Sequence, residues 1–271
     1  MNATVKLSSP ATREFWEIPV LHEDDHLLVL DKPAGLLTSP SREALERPSL
    51  MKLLHDGITA GKPWARERNI TYLANAHRLD FETGGVLVLA KSKSALVALV
   101  DQLGSDKPLR QYVALVHGAP PHDSFVVDEK IASHPTRPGM MRVDSRHGKK
   151  AKTEFAVVET FSNWSLVGCT PRGERPQQIR LHLSHAGFPV VADELYRGKN
   201  LWLSRLKRDF YLKPGREERP LISTTALHLA EMDILHPVTK EKLSIKSELP
   251  KSFRVALKYL RQYAKGGSFA E

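Results

Sequence analysis

The segment His77-Arg78-Leu79-Asp80-Phe81-Glu82-Thr83-Gly84-Gly85 runs into Val86-Leu87-Val88-Leu89, so a cationic and an anionic side chain stand at a bend that opens an apolar strand. A carboxylate projecting from a Gly-Gly bend, with Thr83 beside it and Arg78 two residues back, has the makings of a positioned nucleophile or general base. Taken alone, the same residues equally describe a polar hairpin tip.

The elements that must hold this bend can be read from periodicity and turn signals. His26–Leu30 reads as a strand before a Pro33/Gly35 turn, and Ser49 caps a helix through Leu50, Leu53 and Leu54. Gly61–Asn69 reads as polar loop. Val86–Leu89 leads into a helix with Ala95, Leu96, Leu99, Val100 and Leu103 on one side, closed by Gly104. Tyr112–Val116, Thr153–Val158 and Trp164–Cys169 read as strands. A helix is expected from Pro176 at its first turn to Gly187, with Ile179, Leu183 and Ala186 toward the core. Strands near Thr225–Ile234 and Lys242–Lys246 flank a His236-Pro237 turn, and a helix over Ser252–Ala264 closes the chain. Hairpins with helices set between them predict an α+β class with a mixed, largely antiparallel β-sheet. Residues 1–15 are expected to be a flexible tail and residues 16–271 one folded domain that carries the bend.

The 271 residues are 41% apolar, which supplies a sizeable core. No stretch approaches the ~18 apolar residues of a membrane span, and Met1–Ser9 lacks an apolar signal core, so a cytoplasmic location is expected. A single cysteine, Cys169, excludes an internal disulfide and a multi-cysteine zinc site, and reads as a buried strand residue. His182 and His185 have helical i,i+3 spacing, but without nearby cysteines or a clear third ligand they fit packing and hydrogen bonding better than metal binding.

The net charge of +9 is one-sided: residues 1–125 carry 14 Lys/Arg against 15 Asp/Glu, and residues 126–271 carry 26 against 16. Lys130–Lys152 holds seven basic residues against Asp144 alone, with prolines and glycines that argue for loop. Arg197–Arg219 holds eight against Asp209, Glu217 and Glu218, interleaved with Trp202, Phe210 and Tyr211. Basic loops with aromatic residues suit a polyanion with stackable bases, because neutralised phosphates release counterions and rings accept unpaired bases. On charge alone a solvated basic face fits equally.

The pattern His-Arg-Leu-Asp-x-x-Thr-(Ser/Gly)-Gly before an apolar strand resembles the signature of RNA pseudouridine synthases of the RluA type. Other stretches agree in order: Asp31-Lys32-Pro33-Ala34-Gly35-Leu36, the strand Arg110–Gly118 with Tyr112, Ala151–Phe155, Arg175–Leu183 continuing to Gly187–Tyr196, and Leu227-His228 through His236-Pro237. The resemblance covers about residues 20–255. An amino-terminal S4-type module would need about 60 residues before the Asp31 motif, more than precede it, so the catalytic domain is expected to bind RNA unaided.

The resemblance implies isomerisation of uridines to pseudouridine in structured RNA, ribosomal or transfer RNA rather than DNA, by a monomer that needs no cofactor and no membrane. It assigns Asp80 as the catalytic carboxylate, attacking ribose carbon 1' or removing the 2' proton. Tyr112 would stack on the uracil and help to remove the proton on carbon 5, and Arg180 would favour the ionised form of Asp80. Arg78 would fill the gap left by an extruded base, a salt bridge being the rival role. Lys149, Lys150 and Lys152 would meet phosphates. Three residues depart from the commonest pattern: Gly84 stands for Ser, and Glu174 and Gln177 stand for Gly and His at the helix start. Glu174 would repel phosphate unless Arg172 or Arg175 neutralises it. Two readings from other classes are a non-catalytic RNA-binding protein on the same fold and a carboxylate-dependent glycosidase, which would need a second acid such as Glu82.

Overall fold

A computed structural model describes residues 4–41, 44, 46–105 and 108–264. The chain divides into two compact units, residues 1–110 with 229–248 and residues 111–228 with 249–271.

In the first unit, β1 (Thr4–Ser9) pairs antiparallel with β2 (Glu14–Glu23), and β2 pairs with β3 (Leu27–Lys32). The start of the chain is therefore a strand where a loose tail was expected; residues 1–3 lie outside the described residues. Its alternation is the reason: Val5, Leu7 and Ser9 are buried while Lys6 and Ser8 face out, the period of a half-buried strand. Helix α1 (Leu50–Thr59) starts at the Ser49 cap, whose hydroxyl accepts from the Lys52 N–H. Gly61–Asn69 is not all loop, because Pro63 opens a short helix α2 (Pro63–Glu67) that buries Trp64 and Ala65. β4 (Ala74–Asn75) and β3 both pair antiparallel with β5 (Gly84–Ala90). All seven β5 residues are buried, which explains its unbroken apolar run. Helix α3 (Lys93–Leu103), capped by Ser92, buries Ala95, Leu99 and Leu103 and leaves Val100 exposed.

In the second unit, β6 (Arg110–His117), β7 (Ser124–Asp128), β10 (Lys152–Thr160) and β11 (Trp164–Arg172) pair antiparallel in the order β6-β11-β10-β7. The basic stretch between β7 and β10 contains a two-stranded ribbon, β8 (Ile131–Ser133) with β9 (Met141–Val143). Ile131, Ala151, Leu181 and Tyr196 form a small core beneath it, with Met140, Met141 and Val143 packed on. Helix α4 (Gln178–His185) begins two residues later than Pro176 suggests. Gln177 takes a left-handed backbone with φ +56°, which breaks the helical run after Pro176. A one-turn 3-10 helix (Glu194–Tyr196) and α5 (Leu203–Leu206) follow. α6, spanning Lys251–Tyr263, buries Phe253, Ala256, Leu257 and Leu260.

From Leu229 the chain is back in the first unit, where β12 (Leu227–Leu235) neighbours β5 and pairs antiparallel with β13 (Lys242–Lys246). Gly85 permits the close approach of β5 to β12: its φ is +117°, and a Cβ there would lie 2.2 Å from the Leu229 carbonyl oxygen. Among the described residues no helix is long and apolar enough to cross a membrane.

Candidate active site

Asp80 sits half-buried in the link that precedes β5, in a chain stretch whose neighbours alternate: His77 and Leu79 are buried and Arg78 is exposed. The turn itself is closed by the Thr83 N–H donating to the Asp80 carbonyl at 3.1 Å. Two residues of the Asp31–Leu36 region and its continuation grip it from outside. Thr38 Oγ1 donates to the Leu79 carbonyl at 2.9 Å and accepts from the Leu79 N–H at 3.1 Å, and the Gly35 N–H donates to the Phe81 carbonyl at 2.8 Å.

Lys32 is the less expected member. Its side chain is fully buried, and Nζ donates to the carbonyls of Pro33 (2.9 Å), Thr83 (2.8 Å) and Asp80 (3.4 Å). Burial pushes the ammonium down to about 7, while the nearby Asp80 and Glu82 carboxylates pull the other way. Burying an ammonium costs several kcal/mol, and hydrogen bonds from a charged donor return about 1.5–3 kcal/mol each. The three carbonyls offset only part of the burial, as the lowered pKa records, and what the protein retains is a defined position for the turn. His77 lies under the same segment, accepting from the Val88 N–H at 3.2 Å; burial first, and Arg110 second, hold its imidazole neutral with a pKa of about 3.

In the second unit Tyr112 lies on β6 opposite Cys169 of β11 and is 5% exposed. β11 ends at Arg172, and Gly173, with φ +65°, turns the chain so that Glu174 Oε1 accepts from the Tyr112 hydroxyl at 2.9 Å. Glu174 thus faces the tyrosine that the sequence singles out. Gln178 fixes the surrounding chain: its amide donates to the carbonyls of Lys152 and Arg172 and to Thr153 Oγ1, and its oxygen accepts from the Arg175 N–H. Gln177, the second departure, donates to the Gly139 carbonyl at 2.7 Å and accepts from the Tyr196 hydroxyl, tying the helix start to the basic ribbon.

Arg180 is buried on α4. Its guanidinium makes a two-pronged pair with Asp193 at 2.6 and 2.7 Å and lies over the Tyr196 ring, 5.3 Å from the centroid. Sequence reasoning missed Asp193 and Lys32 as partners, although both fall inside its motifs. Lys149 and Lys150 are exposed, whereas Lys152 is half-buried with Nζ 3.6 Å from Glu154 Oε1. The backbones of Ile131 and Lys149 exchange two hydrogen bonds of 2.9 Å, which steadies that part of the basic stretch. In the second basic stretch, Glu194, Arg197, Lys199, Asn200, Trp202 and Arg205 line a concavity of about 400 Å³. His182 hydrogen-bonds Thr153 Oγ1 at 2.9 Å and the Glu129 carbonyl at 3.2 Å, the packing role expected of it, and Cys169 is a buried strand residue as expected.

The sequence profile of the RNA pseudouridylate synthase family matches residues 26–185. The chain belongs to that family. It falls in the RluA group and is an RNA pseudouridine synthase, an isomerase. Ribosomal large subunit pseudouridine synthase D of Xanthomonas campestris is 33% identical over 246 residues, covering 90% of this chain and 69% of that protein. Ribosomal large subunit pseudouridine synthase C of Escherichia coli is 31% identical, covering 89% of this chain and 70% of that protein. Among solved structures, human RNA pseudouridylate synthase domain containing 4 superposes with a TM-score of 0.66 at 25% identity, covering 89% of this chain and 92% of that one. The synthase therefore has the expected α+β fold with its mixed, largely antiparallel sheet.

Proposed function

We propose that this synthase isomerises particular uridines of structured RNA, with ribosomal RNA the first substrate to test and transfer RNA the alternative, acting as a cytoplasmic monomer without a cofactor. Asp80 is the catalytic carboxylate, as nucleophile at ribose carbon 1' or as base at the 2' proton. Tyr112 stacks on the uracil, Arg180 favours the ionised Asp80, Arg78 takes the place of the extruded base, and Lys149, Lys150 and Lys152 meet phosphates. The observation that carries this reading is the grip on the Asp80 turn: Lys32, Thr38 and Gly35 all hydrogen-bond the backbone of residues 79–83. A carboxylate whose backbone is held by that much buried polar structure is one whose position matters. The ribosomal preference is supported by the names of the relatives.

Asp80→Asn tests it. The variant keeps shape and most hydrogen bonding, so RNA binding stays close to wild type while pseudouridine formation is abolished. Activity within about tenfold of wild type would overturn the assignment, since loss of a nucleophile costs far more than that. Mapping pseudouridines across all transcripts in cells with and without the gene identifies the RNA.

A further inference from the structure

We propose that Glu174 is the proton acceptor behind Tyr112, positioning its hydroxyl and taking the phenol proton while the phenol oxygen removes the proton on carbon 5 of the isomerised uracil. The inference rests on the assignment of Tyr112 to the uracil made above.

The chemistry asks for such a group. Once the uracil has been rejoined to the ribose through carbon 5, that carbon carries both a hydrogen and the sugar, and the ring has lost its carbon 5–carbon 6 double bond. Removing the hydrogen as a proton lets the C–H electron pair re-form that double bond, while the pair between carbon 6 and nitrogen 1 returns to nitrogen 1, which takes a proton from water. No redox partner is involved. A phenol is a poor base for this step, because with a pKa near 10 only about one in a thousand is ionised at neutral pH. A carboxylate hydrogen-bonded to it removes the need for prior ionisation: as the phenol oxygen accepts from carbon 5, the phenol proton moves to the carboxylate.

The structure supplies that arrangement through side chains of one unit. The Tyr112 hydroxyl donates to Glu174 Oε1 at 2.9 Å. Tyr112 is nearly buried in β6, so its ring is fixed. Glu174 is brought to it by the left-handed turn at Gly173, and the segment after it is locked by the Arg175 N–H donating to Gln178 Oε1 at 2.8 Å. An acidic residue beside an RNA-binding surface repels phosphate, so its presence calls for a compensating use, and the hydrogen bond to Tyr112 is one.

The test uses the full-length protein and single-turnover reactions on a substrate RNA carrying tritium or deuterium at carbon 5 of the target uridine. Glu174→Gln should slow tritium release by about 10²-fold, the usual worth of general base catalysis, with RNA affinity no weaker than wild type. The deuterium isotope effect should rise as the carbon 5 step becomes limiting, and Glu174→Asp should recover part of the rate. In the Tyr112→Phe background Glu174→Gln should cause no further loss. A wild-type rate and isotope effect for Glu174→Gln overturns the relay. So does an equal loss in both backgrounds with an unchanged isotope effect, which would make Glu174 a structural tie. If Tyr112→Phe itself keeps the wild-type rate and isotope effect, the assignment of Tyr112 fails and the relay with it; if only Tyr112→Phe is impaired, the relay alone fails. Should Glu174→Gln melt early, the wild-type and Glu174→Asp comparison decides by the same isotope effect.

Discussion

Lys32 Nζ and the Thr83 carbonyl, 51 residues apart in sequence, are joined by a 2.8 Å hydrogen bond inside the first unit. The ammonium spans the Asp80 turn, because it also reaches the Asp80 carbonyl and that of its own neighbour Pro33. Lys32→Met keeps the volume and removes both the charge and the donors. The charge no longer has to be buried, but the carbonyls it bonded lose their donor, so the variant should be destabilised in urea unfolding by roughly 1–4 kcal/mol. Turnover should fall at least about tenfold, since a misplaced catalytic group loses rate steeply with distance. Single-turnover rates set beside urea midpoints check both halves, and unchanged turnover would reduce Lys32 to a packing residue.

His77 makes stability depend on acid. Its imidazole has a pKa of about 3 in the folded chain against an ordinary 6.5. Between those values the unfolded chain holds a proton that the folded chain does not, so stability is full above about pH 6.5 and is lost as pH falls toward 3. His77→Gln keeps an acceptor for the Val88 N–H and has nothing to titrate. Between about pH 7.5 and about pH 4.5 the wild type should therefore lose roughly 2.5–3 kcal/mol more than the variant in urea unfolding. Parallel loss in both proteins would assign the acid sensitivity elsewhere.

The lysines of the first basic stretch should not be equal. Neutralising Lys149 or Lys150 should each flatten the plot of log affinity against log salt by about 0.7–0.9. Lys152, with Glu154 3.6 Å away, should contribute less. Filter-binding titrations at several salt concentrations measure the three slopes, and unchanged slope and affinity would return the stretch to solvent.

Arg78 is exposed at the edge of the Asp80 turn, as a residue that enters an RNA stack must be. Arg78→Ala should slow reaction strongly on a uridine stacked in a stem-loop and weakly on the same uridine in a flexible oligonucleotide, because only the first must be extruded at a cost of a few kcal/mol. Single-turnover rates at saturating enzyme separate this from weakened phosphate binding. Equal losses on both substrates would make Arg78 an electrostatic partner of the turn.

What the sequence made legible was the Asp80 turn and the strands around it, because Asp80, the Gly-Gly bend and the apolar run of β5 are contiguous. Lys32 stands inside the Asp31–Leu36 motif, yet nothing local says that a lysine beside Pro33 is buried: its partners include carbonyls, which every residue has, contributed from 48 and 51 positions away. Asp193 likewise lies inside the Gly187–Tyr196 motif, but its pairing with Arg180 depends on the path taken after Gly187. β1 was missed because its inward face includes Ser9, a polar residue where an apolar one would have completed the alternation. The late start of α4 is invisible in composition: the left-handed Gln177 is held by bonds to Gly139 and Tyr196, both far from it in sequence.

The ribbon of β8 and β9 keeps its two jobs on different atoms. Ile131, Ala151, Leu181 and Tyr196 anchor it, and the Gly139 carbonyl receives Gln177, whereas Lys149 and Lys150 point outward. Charge on its outer face can therefore be rewritten without disturbing the anchor. That makes the segment an exchangeable part: a chimaera that takes residues 130–150 from a relative inherits that relative's electrostatic footprint, provided it keeps apolar residues at Ile131, Met140, Met141 and Val143 and a chain path that returns the carbonyl of position 139 to Gln177.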